Sequence, residues 1–118
     1  MIDPELIPQV AQRFKALADA GRLRLLASLQ KGERSVGELV EETGRTQPNV
    51  SQHLASLTHA GIVEARREGN KVYYRIADPT IVRICDAVCD SVVARARALG
   101  REAAVLAARR RSRAGAER

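Results

Sequence analysis

Two thiols four residues apart, Cys85 and Cys89, are the side chains of this 118-residue sequence whose type and spacing most directly offer chemistry. On a helix, positions four apart lie on adjacent turns of one face with β-carbons about 5–6 Å apart, so one ligand could reach both sulfurs. Soft thiolates suit copper(I), zinc, cadmium or arsenite, and two copies of the pair meeting on a two-fold axis would offer a sulfur-rich site. The same thiols could instead be oxidised or persulfidated, and a direct disulfide at this spacing would be strained and labile. Plain packing is a third use, since a buried thiol behaves as a small apolar side chain. Asp86 and Asp90 would add oxygen ligands or simply be solvated. Spacing alone leaves these readings open.

A second set of side chains is polar and suited to nucleic acid. The segment from Thr46 to Ala60 puts Val50, Leu54 and Leu57 on one side of a helix and polar groups on the other. Gln47, Asn49 and Gln52 carry amides that can hydrogen-bond base edges, adenine above all, while Thr46, Ser51 and His53 suit bases or phosphates. Downstream, Arg66, Arg67, Lys71 and Arg75 offer cations to phosphates or to a minor groove. His53 and His59 are six apart, off one helical face, so a metal site from that pair is disfavoured. No phosphate loop, nucleophile elbow or catalytic carboxylate pair is evident, which argues against an enzyme.

The elements that must position these groups follow from periodicity and punctuation. Apolar residues from Leu6 to Ala18 recur at helical spacing, and a second helix follows from Arg22 to the Gly32 stop. Ser35 and Glu38 have capping-box spacing and open a third helix that ends at Gly44. Thr46 can cap the fourth, with Pro48 in its opening turn. After Gly61 the period changes to two, and two runs split by Gly69-Asn70 predict a hairpin. From Asp78-Pro79 a stripe of Ile81, Cys85, Val88, Val92, Ala96, Leu99, Ala103 and Leu106 predicts one long helix. A stripe of that length on so small a chain needs a second surface, most simply the same helix of another copy. Residues 109–118, rich in Arg, are expected to fray as a basic flexible tail behind a single domain spanning residues 1–108.

Composition narrows the partners. Aromatics make up 3% of the chain, too few for a platform that stacks single-stranded bases. Net charge is +6, but residues 101–118 hold six Arg against two Glu, so most of the excess sits at the end. The case for DNA therefore rests on where the cations fall and less on the basic pI. Neither a membrane span nor a signal peptide is evident in the sequence, and a cytoplasmic location is expected.

The order of elements predicts a mainly α winged helix-turn-helix, with a two-stranded β wing and dimerisation through the terminal helices. Phe14-Lys15-Ala16-Leu17-Ala18-Asp19, Arg22-Leu23-Arg24-Leu25-Leu26, Gln47-Pro48-Asn49-Val50-Ser51-Gln52-His53-Leu54 and Ala60-Gly61-Ile62-Val63 carry a resemblance, continued by the wing from Arg66 to Arg75. Over roughly residues 10–95 the chain resembles the ArsR/SmtB family of bacterial repressors. That resemblance implies a homodimer on a palindromic double-stranded DNA operator, released when an inducer is sensed. It also breaks informatively. Where many members have Cys-Val-Cys, this chain has Ser35-Val36-Gly37. Where others begin a zinc site with Asp-x-His, Asp78 is followed by Thr80 in place of the histidine. Both of those metal sites lack their ligands, which leaves Cys85 and Cys89 as the sensor candidates.

Overall fold

A computed structural model of the chain describes residues 1–116, so the last two positions of the expected tail lie outside the described residues. The chain divides into two compact units, Met1–Asp78 and a helical segment that starts at Pro79.

In the first unit, a 3-10 turn at Pro4–Leu6 leads into α1 (Ile7–Leu17) and α2 (Ala20–Leu29). The Asp19 carboxylate caps α2 by accepting the Arg22 N–H at 3.1 Å. A two-residue strand, β1 (Arg34–Ser35), precedes α3 (Val36–Thr43) and α4 (Gln47–His59). The wing strands β2 (Val63–Glu68) and β3 (Lys71–Ile76) follow.

The expected capping box is formed. Ser35 Oγ accepts the Glu38 N–H at 3.2 Å, and Glu38 Oε1 accepts the Ser35 N–H at 3.0 Å. Gly44 ends α3 with φ at 68°, a conformation that glycine adopts without a Cβ penalty. A second glycine ends α4 in the same way. Gly61 has φ at 75°, and the Ile62 N–H reaches back to the Leu57 carbonyl at 3.0 Å, which closes a Schellman motif. That turn drives Ile62 and Val63 into the core beside Leu25, Leu39, Val50, Leu54 and Leu57. The core is aliphatic throughout, and α4 lies directly on it.

The winged helix-turn-helix expectation holds, with two differences in detail. The wing belongs to a three-stranded antiparallel sheet in the order β1-β3-β2, because Arg34 and Ser35 pair with Tyr74 and Tyr73. Two residues are too few to show an alternating pattern in sequence.

In the second unit, the expected single terminal helix is two, α5 (Pro79–Ala98) and α6 (Glu102–Ala116). Gly100 has φ at 71°, and the Arg101 N–H bonds back to the Ala96 carbonyl, again as a Schellman stop. Of the predicted stripe beyond this break, Ala103 is exposed and Leu106 half-buried. Residues 109–116, expected to fray, are helical. No helix among the described residues is long and apolar enough to cross a membrane.

Candidate nucleic-acid interface

The outward face of α4 carries Gln47, Pro48, Ser51, Gln52 and Ala55, all exposed. Their spacing puts them on one helical arc, opposite the buried Val50, Leu54 and Leu57. Gln47, Ser51 and Gln52 are thus where the sequence pattern put them. Ala55 belongs to the same arc, and a search for polar groups passes over it; a small apolar side chain there suits a thymine methyl.

Thr46 is committed to the helix start, its Oγ1 accepting the Asn49 N–H at 3.3 Å. Its hydroxyl proton remains available to a phosphate. Asn49 and His53 lie on the flank of α4 that packs on α2. Asn49 Oδ1 accepts from Arg45 Nη1 at 3.2 Å, so one acceptor site of this amide is filled within the protein. His53 is turned inward, with a side chain 16% exposed and Nε2 3.8 Å from Asp19 Oδ1. The expectation that His53 faces bases or phosphates gives way to this packing. The reason is a close approach of helices: a Cβ on Gly21 would lie 2.9 Å from His53 Nε2 and 3.0 Å from Arg45 Nη1. A larger residue at position 21 would require the tips of the His53 and Arg45 side chains to shift. The Asp19 carboxyl is held below the usual range by the Arg22 N–H, with His53 adding a smaller effect.

Sequence reasoning missed Arg45 altogether. Its signal was positional, a lone cation immediately before the helix cap.

The wing turn has Gly69 at φ 60° as its first central residue, the requirement of a type II′ hairpin. Strand register then sorts the four cations. Glu64 faces Arg75, Arg66 faces Tyr73, and Glu68 faces Lys71 on one side of the hairpin; Arg67 faces Val72 on the other. Arg66 is held by three acceptor contacts. Its Nε and Nη2 meet the two Glu33 oxygens at 2.7 and 3.2 Å, and its Nη1 meets Glu68 at 2.8 Å. The guanidinium also lies 4.9 Å from the Tyr73 ring centroid, within cation–π range. These bonds hold the Glu33 carboxyl below the usual carboxylate range and push the Arg66 guanidinium up. Arg75 Nε donates to Glu64 at 2.6 Å. Arg67 and Lys71 are exposed and make no hydrogen bond or ion pair among the described residues.

Cys85 is half-buried and Cys89 exposed, both as free thiols on α5. Burial pushes the Cys85 thiol up, with Cys89 and Asp86 adding to the shift, so it rests protonated. Among the described residues, no group of three or more His, Cys, Asp or Glu side chains could hold a metal ion.

A polar-faced helix in a glycine-hinged helix-turn-helix, flanked by a basic hairpin, is the arrangement of a groove-reading module, and known proteins bear on it. Residues 19–65 match the family model described as bacterial regulatory protein, arsR family. The biofilm growth-associated repressor of Agrobacterium fabrum is 42% identical over 80 residues, covering 68% of each chain. The chain belongs to the ArsR family. The probable mercury resistance operon repressor of Streptomyces lividans is 48% identical over 71 residues, which is 60% of this ArsR-family chain and 57% of that relative's length. The solution structure of the homodimeric winged helix-turn-helix domain of Mb0332 from Mycobacterium bovis superposes with a TM-score of 0.69. It is 40% identical and covers 82% of this chain and 90% of that one. The family and these relatives are DNA-binding regulators, not enzymes.

Proposed function

We propose that this ArsR-family chain is a cytoplasmic, homodimeric transcriptional repressor that binds a palindromic double-stranded DNA operator and leaves it when an inducer is taken at Cys85 and Cys89. The exposed arc of Gln47, Ser51, Gln52 and Ala55 on a helix seated on the core carries this reading. An α-helix fits a major groove about 12 Å wide, and each good bidentate amide contact discriminates by about 1–3 kcal/mol. Arg67, Lys71 and the Thr46 hydroxyl supply phosphate contacts that fix register, with Asn49 at the edge of the base-reading arc. Arg66, gripped bidentately by Glu33, reaches a phosphate along that edge only by exchanging partners, and Arg75 has its Nε–H committed to Glu64. Repressors among the relatives support the direction of control.

Dimerisation is supported by apolar side chains left in water. Leu6 of the 3-10 turn and Ile7, Val10 and Phe14 of α1 are exposed, as are Val88 and Val92 of α5. A second copy covers such faces with the least new design, and the related Mb0332 domain is homodimeric. A two-fold pair of α4 helices then meets successive major grooves about 34–36 Å apart.

For the inducer, a soft metal or metalloid such as copper(I), zinc, cadmium or arsenite fits two thiols on adjacent turns. With no third ligand grouped among one copy's described residues, such a site draws on both copies. Binding must displace the Cys85 proton, so metal-driven release strengthens as pH rises. An inducer that favours one interface arrangement by about 1–3 kcal/mol shifts DNA affinity roughly 5–150-fold.

The test is a DNA-release assay on the wild type and Cys85→Ser/Cys89→Ser, using a duplex selected from a random library. Release of wild type alone by one of the three metals or by arsenite supports the metal reading. Release by peroxide or a persulfide donor moves the pair to thiol chemistry. No release by any of them assigns the thiols to packing, and failure to select any duplex overturns the repressor reading itself.

A further inference from the structure

The wing carries its own counterions. Arg66, Arg67, Lys71 and Arg75 bring four cations, yet Glu33, Glu64 and Glu68 bring three carboxylates to the same hairpin. Two of these acids come from the wing strands and are matched to cations by register. Glu33 comes from the loop before β1, 33 residues upstream of Arg66. Its fork-to-fork bond with Arg66 is the geometry in which a guanidinium also grips a phosphate. Glu33 therefore occupies the edge of Arg66 that a phosphodiester would use, and Glu64 takes the Nε–H of Arg75. A phosphate that displaced Glu33 would also leave that carboxylate as a like charge beside it.

We infer that Glu33, Glu64 and Glu68 are specificity-determining residues: they hold Arg66 and Arg75 away from DNA phosphates and so lower the affinity of the wing for DNA of any sequence. The inference rests on the DNA-binding reading given above. Phosphate contacts supply essentially all of nonspecific affinity and carry no sequence information, whereas the outward arc of α4 supplies discrimination. Restraining half of the wing cations leaves Arg67 and Lys71 to anchor the hairpin and leaves α4 to choose the site. Glu33 and Glu68 act through Arg66, and Glu64 acts through Arg75, so all three are positioning residues.

The experiment measures affinity for a random-sequence duplex against salt concentration, for the wild type and for Glu33→Gln/Glu68→Gln, Glu64→Gln, Arg67→Ala/Lys71→Ala and Glu5→Gln. Glutamine keeps the shape and one acceptor, and thermal unfolding confirms that each variant is folded. Glu33→Gln/Glu68→Gln is expected to bind random duplex about five- to tenfold more tightly near 0.1 M salt, with a salt slope steeper by about one. Glu64→Gln, acting through a separate pair, is expected to move in the same direction. Glu5→Gln changes net charge equally per site but lies in the N-terminal turn, and it should leave the slope unchanged. An unchanged slope in the Glu33/Glu68 and Glu64 variants, or gains no larger than that of Glu5→Gln, overturns the inference. Arg67→Ala/Lys71→Ala separates the two layers. If it flattens the slope while the glutamine variants do nothing, only this inference falls. If it changes nothing, the wing does not meet DNA and the underlying reading falls as well.

Discussion

The outward faces of α4 and the wing differ sharply from those of α1 and α5. On α4 the exposed arc is polar or small, and on the wing three carboxylates answer four cations, so this surface is complete in water. On α1 and α5 the exposed groups include Ile7, Phe14, Val88 and Val92, which are normally found inside proteins. The first region is a finished surface awaiting a polar ligand that can be exchanged. In the second, the faces of α1 and of α5, each taken by itself, are apolar and would be covered by a second copy in the proposed dimer. The proposed repressor needs both, because the first would supply chemistry and the second the spacing between two readers.

The comparison breaks most readily at the apolar faces. Val88→Asp/Val92→Asp would place unpaired charges in the proposed dimer contact, at a cost of several kcal/mol. We expect a monomer by sedimentation, with the helical content of each copy retained; a dimer with these charges would refute the assignment of the α5 face. Under α4, Leu54 is fully buried, so Leu54→Ala should lower unfolding stability by roughly 2–5 kcal/mol in denaturant titration. Unlike the Val88/Val92 variant, it acts on the fold of the reading unit. On the arc itself, Gln52→Ala should cost about 1–3 kcal/mol on the selected duplex and little on random DNA. Equal losses on both would move Gln52 from base reading to general contact.

The smallest expected effect is electrostatic. Asp19, Glu33 and Glu38 are all held below their usual ranges, the first and last mainly by backbone N–H bonds and Glu33 by Arg66. Depressed carboxyls stabilise the fold above their unfolded pKa values, and that contribution is lost as pH falls through the folded ones. Stability should therefore be flat above about pH 5 and decline below about pH 4, with a shallower decline in Glu38→Gln. A decline that begins on the alkaline side would contradict this origin.

The features legible in sequence were those fixed by neighbours a few residues away. The Ser35/Glu38 capping box, the Gly44 stop, the Thr46 cap and the Gly69-Asn70 turn each depend on local backbone geometry, and each is formed. The α4 arc was legible in part: a 3.6-residue period separates Val50, Leu54 and Leu57 from Gln47 and Gln52, while Asn49, His53 and Ser56, expected on the polar side, are half-buried. What escaped was set by contacts between distant segments. Nothing near Arg66 in sequence shows that Glu33 will grip it. The inward turn of His53 depends on how closely α2 crosses α4 at Gly21. The break at Gly100 was hidden because the apolar stripe resumes in α6 at the same spacing. The inducer site stays the least legible, since one copy brings two thiols and the proposed site needs two copies.

The central claim, that α4 reads sequence while the wing anchors it, is tested most directly by salt titration of the wild type on a selected palindromic duplex and on a random duplex of equal length. The account predicts tighter binding to the palindrome at every salt concentration, with both affinities falling steeply as salt rises. Equal affinities for the two duplexes across the titration would contradict it.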